Sequence, residues 1–224
     1  MKKVFVLAPH PDDETLGCGG TILKLVDQGY EVIWGIGTGI FEKYGWNREK
    51  IEKRNQEITK VQKRYRFTDI INLNIPTTKV DEYTFGNLVE LVSKTLVEIK
   101  PNILFLPYVN DIHTDHKSLV KAFLSCTKWF RYPYIDTVLY YETLSETNFN
   151  INPTDKKFIP NIYINIEGYL KKKVDIMKIY ESELKEFPFP RSEKAIKSLA
   201  WLRGSEAGFS EAEAFQLIMS RRTI

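Results

Sequence analysis

The chain has 224 residues, of which 43% are hydrophobic and 27% charged, so it can bury a sizeable core. Its 32 basic and 29 acidic residues leave a formal net charge of +3, which excludes the strong positive field that collects nucleic acid. No run approaches the roughly 20 apolar residues of a membrane span, and Pro9 and His10 break the first apolar run before a signal peptide could form. We therefore expect a cytoplasmic protein with no nucleic-acid partner and no membrane span.

The first hundred residues alternate short apolar runs with segments of helical periodicity, an order that predicts βαβ units and a parallel sheet. In chain order we predict a strand at residues 4–8, a helix stopped by Gly29, a strand at 31–37, a helix capped by Asn47 and running to about 64, a strand at 70–73, a helix over 88–99 and a strand at 103–106. These elements predict an α/β fold, Rossmann-like and doubly wound, with a mostly parallel sheet and helices on both faces.

The second half of the chain is more aromatic and less regular. We predict a helix over residues 117–128, strands at 138–141 and 162–164, and a helix over 169–183. Two prolines in residues 187–191 exclude a helix there and indicate a connector. We place the part from about residue 137 as an extension of a single domain that spans residues 1–224.

The two cysteines, Cys18 and Cys126, are far apart and lack a C-x-x-C spacing. This pattern favours neither a disulfide framework nor a thiolate zinc site. We expect both to be small buried residues.

The chain has three histidines, and all three lie in two short loops. His10 stands in H-P-D-D-E, and His113 and His116 stand in H-T-D-H. Each loop follows a predicted strand, the first and the fourth, which are neighbours in a sheet of strand order 3-2-1-4-5. A lone histidine at a strand end is usually a satisfied turn residue, but this clustering favours a metal site.

Two imidazoles and a carboxylate around an open position form a common catalytic zinc site. The two loops offer more groups than one metal needs: His10, Asp12, Asp13, His113, Asp115 and His116. The surplus groups can act as general base, as general acid or as partners that fix a histidine tautomer. Local chemistry alone leaves open which aspartate binds the metal, and the site accepts Fe²⁺ or Co²⁺ as well as Zn²⁺.

The two loops resemble the signatures of the LmbE-like or PIG-L deacetylases, A-H-P-D-D-E after the first strand and H-x-D-H downstream. Here residues 9–14 read P-H-P-D-D-E, with Pro9 in place of alanine, and residues 113–116 read H-T-D-H. The resemblance extends through T-L-G-C-G-G at 15–20, R-N-Q-E at 54–57, Y-E-T at 141–143, P-R-S at 190–192, R-G at 203–204 and E-A-F at 213–215.

The resemblance implies a role for each matched residue. His10, Asp13 and His116 would hold Zn²⁺, and Asp12 would be the general base. His113 would stabilise the oxyanion or protonate the leaving amine, with Asp115 holding its ring and keeping it charged. Arg54 would contact substrate, although a solvated charge on a charged helix is the alternative.

The resemblance further implies N-deacetylation of a small GlcNAc-type amino sugar: a sugar nucleotide, a glycoconjugate or a thiol-cofactor precursor such as GlcNAc-malate. Amidase action on another amide, or a metal-dependent hydratase or lyase acting on a small carboxylated substrate, is the alternative; a non-catalytic metal-binding module ranks last because Asp12 is present. A homo-oligomer is expected by analogy alone. A dinucleotide cofactor is disfavoured, because G-x-G-x-x-G is absent and acids fill the first turn.

Overall fold

Seven strands form one sheet in the order β3-β2-β1-β4-β5-β7-β6 in the computed structural model, which describes residues 2–221. The strands are β1 (Lys3–Ala8), β2 (Glu31–Gly39), β3 (Asp69–Pro76), β4 (Ile103–Pro107), β5 (Thr137–Tyr141), β6 (Ile162–Asn165) and β7 (Ala212–Ser220). The first five strands run parallel, and β7 is antiparallel to both β5 and β6. The predicted order 3-2-1-4-5 is confirmed.

Within the described residues, six α-helices cover the sheet: α1 (Asp13–Asp27), α2 (Arg48–Tyr65), α3 (Phe85–Ile99), α4 (Thr114–Ser125), α5 (Leu170–Met177) and α6 (Glu193–Ala207). One hydrophobic cluster joins the sheet to α1, α2, α5 and α6, and a second joins it to α3 and α4. The predicted α/β class with helices on both faces is therefore confirmed. None of the helices within residues 2–221 has the length and apolarity that a bilayer crossing requires.

Local sequence signals account for several element ends. The Asn47 side chain caps α2 by accepting the amide of Lys50, as predicted. Gly29 follows α1 with a φ of 83°, a left-handed conformation that suits glycine. Cys18 and Cys126 are both free and buried, which confirms the expectation for them.

Helix α1 is kinked at Cys18, whose φ of −142° is not helical. A kink frees backbone donors, and the amides of Gly20 and Thr21 just beyond it donate to the Glu213 carboxylate of β7 at 2.9 and 2.7 Å. The Lys173 ammonium pairs with the same carboxylate at 2.7 Å, and all of these groups are buried. Strand β7 thus supplies the acceptor for two backbone amides of α1.

The second half differs from the prediction in three places. Helix α4 begins at Thr114 rather than at 117, so that His116 lies in its first turn. Helix α5 ends at Met177 rather than at 183, because residues 178–184 form turns that bring Tyr180 and Glu183 toward the β1–α1 loop. Helix α6 and strand β7 were not predicted.

Candidate metal centre and active site

The carboxyl ends of β1 and β4 are adjacent, because residues 4–6 of β1 pair in register with residues 103–105 of β4. His10 lies in the loop after β1, and Asp13 is the first residue of α1. His113 caps α4 after the β4 loop, and His116 follows in the first turn of that helix. The fold therefore brings together the two loops that carry all three histidines.

His10, Asp13 and His116 converge on one point. The Asp13 Oδ2 atom lies 3.2 Å from His116 Nε2 and 3.6 Å from His10 Nδ1, and the two ring nitrogens are 3.4 Å apart. Each residue offers a ligand atom, and these atoms lie within 4.8 Å of one another. Although burial raises the pKa of Asp13, the neighbouring His116 and His10 lower it to about 2, so this carboxyl is ionised at neutral pH.

A carboxylate binds the outer nitrogen of each of these two histidines. His116 Nδ1 lies 2.8 Å from Asp111 Oδ2, and His10 Nε2 lies 3.0 Å from Asp115 Oδ2. Donation of the outer N–H to a carboxylate leaves His116 Nε2 and His10 Nδ1 as lone-pair donors. The donor set and its outer partners therefore fit a divalent metal.

A second group, His10, His113 and Asp115, also meets the distance requirement for a metal site. In this group His10 is hydrogen bonded directly to Asp115, and the Asp115 amide donates to His113 Nδ1 at 3.1 Å. The Asp115 oxygens also accept the amides of Thr78 and Val80, at 2.7 and 3.3 Å. This group is internally satisfied and fits a metal less well.

The expected role of Asp115 toward the His113 ring stays a prediction, and the Asp115 carboxylate lies closer to His10 than to His113. Asp115 Oδ2 lies 3.9 Å from His113 Nδ1, against 3.0 Å from His10 Nε2. The Asp115 carboxylate turns instead toward His10 and the Thr78 and Val80 amides. Burial and the proximity of His10 lower the pKa of His113 to about 4, so its ring is neutral rather than cationic at neutral pH.

Asp12 precedes α1 in a strained backbone conformation, with φ at 136° and ψ at −27°. Such a conformation costs about 1–3 kcal/mol in a residue other than glycine and is frequent at functional sites. The Asp12 Oδ2 atom accepts a hydrogen bond from Arg191 at 2.9 Å, and its amide donates to Glu14 at 3.1 Å. Burial and the Asp13 charge raise the pKa of Asp12, and Arg191 opposes that rise.

Glu14 is fully buried behind the Asp12 backbone. Besides the Asp12 amide, its carboxylate accepts the hydroxyls of Thr15 at 2.6 Å and Tyr180 at 2.8 Å. Tyr65 extends this network by donating to the Thr15 hydroxyl at 3.0 Å. Glu14 thus connects the strained turn to α2 and to the segment after α5.

Arg54 and Arg191 meet through Glu183, whose two oxygens accept one hydrogen bond from each at 2.9 Å. Arg54 also donates to the Pro11 carbonyl at 2.9 Å and pairs with Glu57 at 3.2 Å. Both arginines line a cavity of 780 Å³ that opens onto His10, Asp12, Asp13 and His113. Arg54 is therefore a partly buried wall residue rather than a solvated charge on α2.

Sequence reasoning assigned no role to three residues that shape this site: Asp111, Glu14 and Glu183. Asp111 lies just before His113 and five residues before His116, so its position in D-I-H-T-D-H was a usable signal. Glu14 was visible in H-P-D-D-E, but the buried acceptor role depends on tertiary contacts. Glu183 lies in a segment predicted to be helical, where no local signal marked it.

An α/β sheet with a His/Asp centre at the adjacent ends of β1 and β4, and a further carboxylate beside it, is typical of a metal-assisted hydrolase. The sequence model of the PIG-L family, described as GlcNAc-PI de-N-acetylase, matches residues 5–127, more than half of the chain. The chain therefore belongs to the PIG-L family.

The chain is similar to one curated protein in sequence and to two solved structures in fold. Diacetylchitobiose deacetylase of Thermococcus kodakarensis is 27% identical over 97% of this chain and 84% of its own length. The inhibitor-bound structure of N,N'-diacetylchitobiose deacetylase from Pyrococcus horikoshii has a TM-score of 0.76 at 21% identity, covering 97% of this chain and 84% of that one. GalB, the 4-carboxy-2-hydroxymuconate hydratase of Pseudomonas putida KT2440, has a TM-score of 0.73 at 14% identity, covering 100% and 99% of the two chains. The family match and the sequence relative identify this chain as a hydrolytic deacetylase that acts on an amide, and the two solved structures show the fold.

Proposed function

We propose that this protein is a metal-dependent N-deacetylase that hydrolyses the acetamide of a GlcNAc-type amino sugar to a free amine and acetate. The observation that carries the proposal is the convergence of His10 Nδ1, Asp13 Oδ2 and His116 Nε2 beside the Asp12 carboxylate. The 27% identical diacetylchitobiose deacetylase supports the sugar acetamide as substrate. The single-domain organisation of residues 1–224 is part of this proposal, whereas the homo-oligomer and the cytoplasmic location stay predictions.

We assign the metal to His10, Asp13 and His116. Zn²⁺ is the first choice because two imidazoles and one carboxylate are a common catalytic zinc ligand set, although Fe²⁺ and Co²⁺ suit the same donors. When bound, such a metal supplies Lewis acidity that polarises the acetyl carbonyl and lowers the pKa of water.

Asp12 is assigned as the general base. Arg191 donates a hydrogen bond to Asp12 Oδ2. We therefore assign the other oxygen, Oδ1, as the atom that accepts the proton of the attacking water. Burial and the Asp13 charge raise the pKa of Asp12, which suits a base that takes a proton from water and returns it later. Glu14 holds the Asp12 backbone through its amide and Arg191 holds the carboxylate through Oδ2, so that little reorganisation is needed during the reaction.

His113 is assigned as the hydrogen-bond donor to the developing oxyanion. Its Nδ1 accepts the Asp115 amide, so the single proton of the neutral ring lies on Nε2. A ring with a pKa of about 4 donates a hydrogen bond at neutral pH, but it carries no extra proton to give away. The amine therefore takes its proton from Asp12, and Asp115 acts by positioning His10.

The water oxygen bonds to the acetyl carbon while Asp12 takes one water proton. The carbon–nitrogen bond then breaks, and Asp12 passes that proton to the leaving nitrogen. The second water proton stays on the new carboxyl group and is lost to solvent at neutral pH, so acetate and the amino sugar leave the site.

Acetate release from GlcNAc, UDP-GlcNAc, GlcNAc-malate and diacetylchitobiose, with and without a chelator, tests the proposal. We expect chelator-sensitive release from at least one of the four. No acetate from protein shown to contain metal would overturn the proposal and favour another amide or the hydratase reaction.

Two substitutions separate the assigned roles. Asp12→Asn should retain metal and lower turnover by about 10²- to 10⁴-fold, the usual contribution of a general base. His116→Ala should lose metal by elemental analysis. Asp136 provides a matched control, because Asp136→Asn changes the same group at the amino end of β5, opposite the strand ends that carry the site. Wild-type turnover in Asp12→Asn would refute the base assignment, and unchanged metal content in His116→Ala would refute the ligand assignment.

A further inference from the structure

The cavity extends well beyond the candidate metal centre. Ligand pockets usually enclose about 300 to 1,000 Å³, so 780 Å³ is more than one sugar ring requires. From His10 and Asp12 the lining continues past Gly39 and Trp46 and then between α2 and edge strand β3. We call this extension the α2–β3 groove and define it by Ile36, Asn55, Ile58, Gln62, Ile70 and Asn72.

The α2–β3 groove combines an apolar floor with amide side chains. The apolar floor consists of Ile36 of β2, Ile58 of α2 and Ile70 of β3. Ile70 pairs in register with Trp34 of β2. Asn72 pairs in register with Ile36, so it lies on the same strip of the sheet two residues beyond Ile70. Each amide group both donates and accepts hydrogen bonds, as a sugar hydroxyl does. An apolar floor with amides beside it therefore suits a hydroxyl-rich ring that also has a C–H face.

The charges around the cavity disfavour an anionic group. Arg54 and Arg191 are the cations that line it, and both are already bonded to Glu183. Outside the candidate metal centre, Asp69, Glu146 and Glu183 supply the acidic lining. Proteins recognise carboxylates and phosphates with free Arg forks, and this cavity offers none among residues 2–221.

We propose that the α2–β3 groove binds a second, uncharged sugar unit attached to the N-acetylated ring. The preferred substrate is then a neutral oligosaccharide rather than a nucleotide-bearing or carboxylate-bearing glycoside. This inference rests on the proposed function, which leaves the rest of the substrate open.

The double variant Gln62→Ala/Asn72→Ala tests the groove, and Lys63→Ala is its matched control on the exposed face of α2. We expect kcat/KM for diacetylchitobiose to fall about tenfold or more, as the loss of two hydrogen bonds predicts, while kcat/KM for GlcNAc changes less than about twofold. In wild-type enzyme, UDP-GlcNAc and GlcNAc-malate should have kcat/KM values at least about tenfold below that of diacetylchitobiose. Equal losses for both neutral substrates, no loss for either, or a preference for an anionic substrate would overturn the proposal.

A binding measurement keeps this test separate from the proposed function. Diacetylchitobiose and GlcNAc are titrated by NMR into chelator-treated protein, which requires no turnover. We expect wild-type protein to bind diacetylchitobiose more tightly than GlcNAc, the double variant to lose this difference and Lys63→Ala to keep it. That result supports the groove even if no substrate yields acetate. Equal binding of the two sugars, or disaccharide binding that the double variant keeps, overturns the groove even if acetate release confirms the deacetylase.

Discussion

Asp111 should control metal affinity although it does not contact the metal position itself. Its Oδ2 lies 2.8 Å from His116 Nδ1, and both side chains are fully buried. Asp111→Asn keeps the shape of the side chain but removes its charge. An asparagine that turns its NH₂ toward His116 Nδ1 would shift the ring proton onto Nε2, the atom assigned to the metal.

The expected loss of affinity is set by the geometry of this bond. A buried hydrogen bond of this length to a carboxylate is charge-assisted, and loss of such a partner costs about 10- to 100-fold in metal affinity. This corresponds to about 1.4–2.8 kcal/mol of binding free energy. The dissociation constant is measured by competition with a chromophoric chelator at neutral pH.

Thr147→Val is the matched control, because the Thr147 hydroxyl donates to the other Asp111 oxygen at 2.6 Å. Removing that bond leaves the Asp111 charge in place, so we expect a change of less than about tenfold. An Asp111→Asn variant whose metal affinity stays within about twofold of wild type would refute the tautomer argument.

Two further predictions concern stability. Burial raises the pKa of Glu14 from 4.5 to about 7, so the folded state holds its proton between these values while the unfolded chain does not. The resulting stabilisation is complete below pH 4.5 and is lost as the pH rises through about 7. The wild-type free energy of unfolding should therefore fall by on the order of 3 kcal/mol between about pH 5 and about pH 8, and Glu14→Gln should remove this fall. Urea unfolding across this pH range measures it, and the same pH dependence in variant and wild type would contradict the prediction. Lys173→Met leaves the buried Glu213 carboxylate without its cation and should lower the free energy of unfolding by about 3–5 kcal/mol. The control Lys172→Met, on the exposed side of α5, should leave the melting temperature nearly unchanged. Equal melting temperatures for the two variants would argue against the buried pair.

The sheet order and the meeting of the two histidine loops were predictable because both depend on local signals. Apolar runs and helical periods identify the strands and helices up to residue 107, and parallel connections then fix which strand ends lie together. His10, Asp13 and His116 meet for that reason. Strand β7 depends instead on antiparallel pairing with β5 and β6, which no local pattern specifies.

The finer arrangement of the site depends on contacts between distant segments. The family resemblance implied that Asp115 serves His113, but the Asp115 carboxylate lies closer to the His10 ring, which a distant loop supplies. Arg191 reaches Asp12 across 179 positions of sequence. The turn that ends α5 brings Glu183 between the two arginines, and only the tertiary fold determines where that turn lies.

The kink of α1 at Cys18 makes the folding of this helix depend on a strand near the end of the chain. Amides just past the kink are satisfied by Glu213, nearly two hundred residues later. During synthesis, the Gly20 and Thr21 amides of α1 therefore lack the Glu213 carboxylate until β7 has left the ribosome. We expect a fragment of residues 5–127, the part that the family model matches, to bind metal more weakly than the full chain in a chelator competition, because Asp13 lies on a helix whose Gly20 and Thr21 amides then lack Glu213.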